Sequence, residues 1–116
     1  MSDTEDYSNN CLNELDKWLK TQKDMIYERN FKGPTNDSNV LQIYKVELST
    51  LCLKIKRALW SNDLTPLTTL GLNNKLIECS RDANMRLEMC DRVNEWLITY
   101  PNVKNATHLD ILLSEQ

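Results

Sequence analysis

The residues able to carry chemistry in this 116-residue chain are few: one histidine, His108, and four cysteines, Cys11, Cys52, Cys79 and Cys90. Zinc sites and nucleophile–base pairs ordinarily draw on histidine. The cysteines form no C-x-x-C pair and have no histidines placed beside them, so no metal-ligand pattern takes shape. Their expected state is that of reduced, half-buried thiols acting as small hydrophobes, ahead of disulfides or metal ligation. His108 titrates near neutrality, but it falls in the first turn of a short terminal helix and is expected to be a solvated surface residue. Glu88 with Asp91, or Asp82 with Glu88, would meet around a metal only by an accident of folding. Two glycines, Gly33 and Gly71, are too few and too far apart for a phosphate-cradling loop. The expectation is a non-enzymatic protein with no cofactor and no catalytic or metal site.

Charge narrows the partners. Seventeen acidic against fourteen basic residues give a formal charge of −3, which is not the balance of a domain that neutralises many phosphates. Lys45, Lys54, Lys56 and Arg57 make one stretch locally basic, and Arg81, Arg86 and Arg92 do the same later on. At 100° per residue, positions 45 and 56 project in nearly the same direction while 54 lies opposite 45, so the charges do not make one stripe. They read first as solvated faces of amphipathic helices. A local contact through Lys54, Lys56, Arg57 and Arg86 is the alternative. The opening Met1-Ser2-Asp3-Thr4-Glu5-Asp6 is acidic and polar, unlike a secretory leader, and no long uninterrupted apolar run suits a membrane span. An intracellular protein, nuclear or cytoplasmic, is expected, with no membrane contact.

The elements that must position these residues are helices. Residues 1–8 lack periodicity and read as a flexible acidic tail. From Asn9 or Asn10, Leu12, Leu15, Trp18, Leu19, Met25 and Ile26 mark a first helix, about 9–29. Residues 30–39, centred on Gly33-Pro34, are the clearest loop, and Phe31 within it is expected to fold onto the core. Leu41, Tyr44, Leu48, Leu51, Ile55 and Ala58 then hold a heptad seam through a second helix, about 39–60. Thr65 as cap and Pro66 in the first turn open a third helix, about 65–80. Leu72, Leu76, Cys79, Ala83, Cys90, Val93, Leu97 and Tyr100 keep one register across the next segment, which favours a single helix about 52 Å long. A compact core favours a break near Ser80-Arg81-Asp82 and a fourth helix, about 82–100, and that is the reading taken. Gly71 is expected inside a helix, at a close helix approach. After Pro101, Thr107-His108-Leu109-Asp110 resembles a capping box and opens a short helix, about 107–114.

The fold class is therefore all-α: a small antiparallel bundle of three long or four shorter helices plus a short C-terminal helix, one domain over 9–100. Thirteen asparagines against three alanines show that helix propensity alone did not choose this sequence.

The width of the apolar surface is the best functional clue. The second helix is apolar well beyond the roughly 100° that a simple surface helix needs. Val46, Leu53 and Trp60, seven residues apart, share a face opposite much of the seam. That face is either covered by another helix or meets another chain. Leu109, Leu112 and Leu113 fit L-x-x-L-L, whose leucines line one side of a helix and suit a hydrophobic groove, a partner's or the protein's own.

The stretch Ile55 to Tyr100, with Lys56-Arg57-Ala58-Leu59, the Asn62-Asp63-Leu64 turn and the leucines that follow, resembles the small bundles that transcription-elongation and chromatin-tethering factors use to bind disordered peptides. The resemblance covers under half of the chain, rests on leucine spacing and carries over no functional residue. The function expected from the residues is a protein–protein interaction module or subunit of an assembly. Its partner, another protein or a second copy of this chain, docks helix-in-groove or helix-on-helix at Val46, Leu53, Trp60, Leu109, Leu112 and Leu113. Alternatives are a nuclear module touching chromatin or nucleic acid through Lys54, Lys56, Arg57 and Arg86, and a viral decoy of a host helix-binding protein, which the asparagine bias would suit.

Overall fold

Apolar residues three, four and seven apart organise the first helix, α1 (Asp3–Asn30), which buries Leu12, Leu15, Leu19 and Ile26. The computed structural model describes residues 3–30, 38–61 and 63–99. Helix α1 begins six residues earlier than the periodicity predicts, so residues 3–8 are helical where a tail was expected. Asp6, exposed in the opening of the helix, puts negative charge near its N-terminus, where the macrodipole favours it. Periodicity misses this stretch because its sequence carries no apolar stripe, and Asp6 and Tyr7 are exposed.

Helix α2 (Ser38–Trp60) is the central element. Its seam residues Tyr44, Leu48, Ile55 and Ala58 are buried, and Leu51 is partly buried against the same core. Cys52 and Leu59 widen that stripe, because α2 packs against α1, α5 and the short helix that follows it.

The predicted third helix is two short ones, α3 (Thr65–Thr69) and α4 (Asn74–Cys79). Gly71, expected inside a helix, separates them in a left-handed conformation with φ 77°. Its amide donates to the Thr68 carbonyl at 2.9 Å, and the Leu72 amide reaches back to Leu67 at 3.1 Å. These two bonds close a Schellman turn, which needs a residue at positive φ and suits glycine. Leu67 and Leu72, at its two ends, are both buried. Thr65 opens α3 without capping it; the Asp63 carboxylate accepts the Thr65 amide at 3.1 Å instead.

At α4 the Asn73 side chain accepts the Lys75 amide at 2.7 Å. The last helix among the described residues, α5 (Ala83–Thr99), starts where Asp82 accepts the Met85 amide at 2.9 Å, so the chain breaks at the cap rather than running on. Its Met85, Met89, Cys90 and Val93 join the core.

The ends of the helices fix their directions. Arg29 near the end of α1 pairs with Glu47 in the first half of α2, and the start of α5 lies beside the end of α2. Asp16 of α1 pairs with Arg92 of α5. Helices α1 and α5 thus run the same way and α2 runs against both. No strand occurs among the described residues, and none of their helices is long and apolar enough to cross a membrane.

One expectation about chemistry is overturned. Cys11 of α1 and Cys79 of α4 are joined by a disulfide, with Cα atoms 6.6 Å apart. Their 68-residue separation hides the pairing in the sequence. In the chain-entropy picture, closing a loop of that size is worth roughly 4 kcal/mol. Cys52 and Cys90 are the free, buried thiols, as expected.

Candidate functional site

The structure divides the predicted partner face. Val46 is half-buried, and Leu53, at 7% exposure, is buried and has no open surface to offer. Leu53 is therefore withdrawn as a partner contact: position 53 lies on the side of α2 that the fold covers. Trp60, in the last turn of the same helix, is 63% exposed. Leu109, Leu112, Leu113 and His108, with the predicted terminal helix, lie outside the described residues, as does Phe31.

Trp60 stands at the mouth of a groove of about 260 Å³, shared with Leu59, Ala83, Arg86, Leu87 and Cys90. Helix α2 ends there, and Asp82 caps α5 so that its first two turns supply the opposite wall. Leu59 and Cys90 are buried and form the floor, whereas Leu87 is 51% exposed and forms the rim with Trp60. Large apolar side chains left this open at a concave site are what a docking surface requires.

The four predicted cations gather around this end of α2. Arg86 lines the groove itself, and both it and Lys56 act electrostatically on the Cys90 thiol. Burial pushes that thiol up from its ordinary pKa, and the two cations oppose the shift. Lys54 and Arg57 line a neighbouring groove of about 630 Å³ with Ser61, Asp63, Thr65 and Thr69, formed where the chain turns from α2 into α3. The Asp63 carboxyl there is held below the usual range by its hydrogen bonds from Thr65. What the helical projection separates, the end of the helix reunites: both flanks of its last two turns carry cations, with Asp63 beside one and Asp91 beside the other.

A third groove, of about 750 Å³, lies between the start of α1, α4 and the start of α5. Glu78, Asp82 and Glu88 make its lining acidic, with Tyr7, Ser8, Asn84, Met85 and Cys79. Partial burial, followed by the neighbouring Glu78 carboxylate, raises the Tyr7 hydroxyl pKa. Among the described residues, no group of three His, Cys, Asp or Glu side chains could hold a metal ion.

Sequence reasoning missed Leu87 and Tyr7. A signal for Leu87 existed: it sits beside Arg86, the one break in the 83–90 register, and a leucine off the buried stripe is an exposed leucine. Tyr7 was hidden by the assignment of residues 1–8 to a tail. Trp18 and Trp96 pack, partly buried, against the core.

Comparison with protein-family models, with curated proteins and with solved structures returns no match for this chain. The likeness of residues 55–100 to peptide-binding bundles consequently rests on leucine spacing alone.

Proposed function

We propose that this protein is a non-enzymatic interaction module that docks an acidic, apolar-bearing segment of another protein in the groove between Trp60 and Leu87. The observation that carries the reading is the exposure of these two side chains on the rim of a concave site with a buried floor. Lys54, Lys56, Arg57 and Arg86 around that end of α2 favour a partner carrying Asp or Glu beside its apolar anchors, and they would speed encounter more than they tighten the complex. The proposal keeps the intracellular placement, nuclear or cytoplasmic. A disulfide inside the cell is then of the redox-responsive kind.

The test is selection of peptides from a random display library on the immobilised full-length chain, with the Trp60→Ala variant as counter-selection. The reading expects enrichment of acidic peptides with bulky apolar residues, lost on the variant. Enrichment of basic peptides, enrichment that survives the substitution, or no enrichment would overturn it. Duplex DNA titrated at two salt concentrations tests the nucleic-acid alternative; salt-dependent DNA binding without peptide selection would favour that class instead. Light scattering on the purified chain shows whether the partner is a second copy.

A further inference from the structure

Val46, Leu53 and Trp60 lie seven residues apart on one face of α2 and differ widely in exposure. Trp60 is 63% exposed, Leu53 only 7%, and Val46 is half-buried. At 100° per residue, Leu53 projects about 180° from Tyr44 and about 160° from Ile55, two residues of the seam that faces the core. Leu53 is not part of the core cluster that the described helices share. Beside it on the same side of α2, Ser49 is 1% exposed, and its hydroxyl has no hydrogen-bond partner among the described residues. A covering element therefore lies over the middle of this face and stops short of Trp60.

Helix α1 packs on the seam, with Tyr27 against Tyr44 and Arg29 paired with Glu47. Helix α5 walls the groove at Trp60, where its Leu87 is itself half open. The link from Asn30 to Ser38 is too short to be the cover. Fully extended it spans roughly 27 Å, and the return from Leu53 to Ser38 alone takes about 22 Å along α2, with the outward leg from the α1 side still to add. Residues 100–116 start from Thr99, and because α5 runs against α2 that point lies beside the first half of α2. They lie outside the described residues, and their sequence spaces Leu109, Leu112 and Leu113 for one side of a helix.

We propose that the chain's own residues 100–116 dock back on α2 as the cover of the Val46–Leu53 face, with Leu109, Leu112 and Leu113 against Leu53 and a polar group of the segment bonded to the Ser49 hydroxyl. Contact between the leucines and Leu53 removes apolar surface from water on both sides. A hydrogen bond from the segment gives the buried hydroxyl the partner it otherwise lacks. The cover ends below Trp60, so the groove there stays open and the inference stands apart from the peptide-docking reading. Release of the segment would extend the open apolar face from Trp60 down to Leu53. The terminus thus sets how much of α2 an outside partner can reach.

The experiment records methyl–methyl nuclear Overhauser contacts on the isotope-labelled full-length chain, and again on a mixture of labelled and unlabelled chains. The expected result is contact within one chain from the Leu53 methyls to Leu109, Leu112 or Leu113. A second measurement compares the wild type with a variant carrying Leu109→Ser, Leu112→Ser and Leu113→Ser, using relaxation by a soluble, neutral gadolinium chelate. Relaxation of the Leu53 methyls should rise severalfold in the variant, towards the level of Leu87, while Leu87 and the Trp60 indole stay as they are in the wild type. Contacts from Leu53 only to residues outside 100–116, contacts between chains in place of those within one, or a Leu53 equally shielded in a folded variant would each overturn the proposal. If the variant unfolds, the wild-type contacts decide alone.

Discussion

Trp60, in the last turn of α2, and Leu87, in the second turn of α5, line one groove and both are more than half exposed. Such a pair contributes little to folding and is available for binding. Trp60→Ala is expected to change folding stability by less than about 1 kcal/mol. The same substitution should weaken binding of a selected peptide about 30-fold or more, the scale of an interface hot spot. Urea denaturation and a fluorescence titration of labelled peptide, run on the same preparation, separate the two effects.

Met89 is two residues from Leu87 and has no exposed surface. Met89→Ala removes core contacts on α5 and leaves a cavity, and should cost about 2–5 kcal/mol. Leu87→Ala, on the exposed side of the same helix, should cost less than about 1 kcal/mol. A shifted urea midpoint with an unchanged slope for Met89→Ala, and little shift for Leu87→Ala, is the expected pattern.

Gly71 holds φ 77° at the end of α3, and a Cβ added there would meet nothing within 4 Å. The cost of Gly71→Ala is therefore backbone strain and not a clash, about 1–2 kcal/mol. Gly71→Asn should cost less than Gly71→Ala, because asparagine tolerates the left-handed region better. Thermal melts of the two variants check the order; equal losses would point to some other cause.

These positions also show what a sequence can disclose. The α2 seam is legible because Tyr44, Leu48, Ile55 and Ala58 repeat one local period that burial requires. The α5 start is legible because Asp82 is a cap residue standing before a helical stripe. Gly71 is ambiguous, since leucines on both sides continue a helical register across a turn that only tertiary packing of Leu67 and Leu72 selects. The Cys11–Cys79 pairing is invisible for a different reason: proximity between residues 68 apart is a property of the folded chain. Of the candidate site, Trp60 and the four cations were legible as residues. Their gathering around one end of α2 was not, because helical projection ignores how a helix ends against its neighbours.

Asp63 offers a dependence on pH. Hydrogen bonds from Thr65 lower its folded-state pKa below the ordinary carboxylate value. The group therefore stabilises the fold above its unfolded pKa, near 3.9, and that contribution disappears as pH falls through the lower, folded value. Asp63→Asn keeps an acceptor without the titration. The stability difference between the wild type and this variant should be constant above about pH 5 and change only below about pH 4. Urea midpoints from pH 6 to 2.5 provide the measurement, and a difference that varies around neutrality would contradict the assignment.

The most direct test of docking at the end of α2 is a binding footprint by amide and indole chemical shifts, recorded on the isotope-labelled full-length chain as a selected acidic peptide is added. The account predicts the largest shifts at the Trp60 indole, Leu59, Arg86, Leu87 and Cys90, with smaller ones at Lys54, Lys56 and Arg57. Shifts centred on another face, or a footprint unchanged by Trp60→Ala, would contradict it.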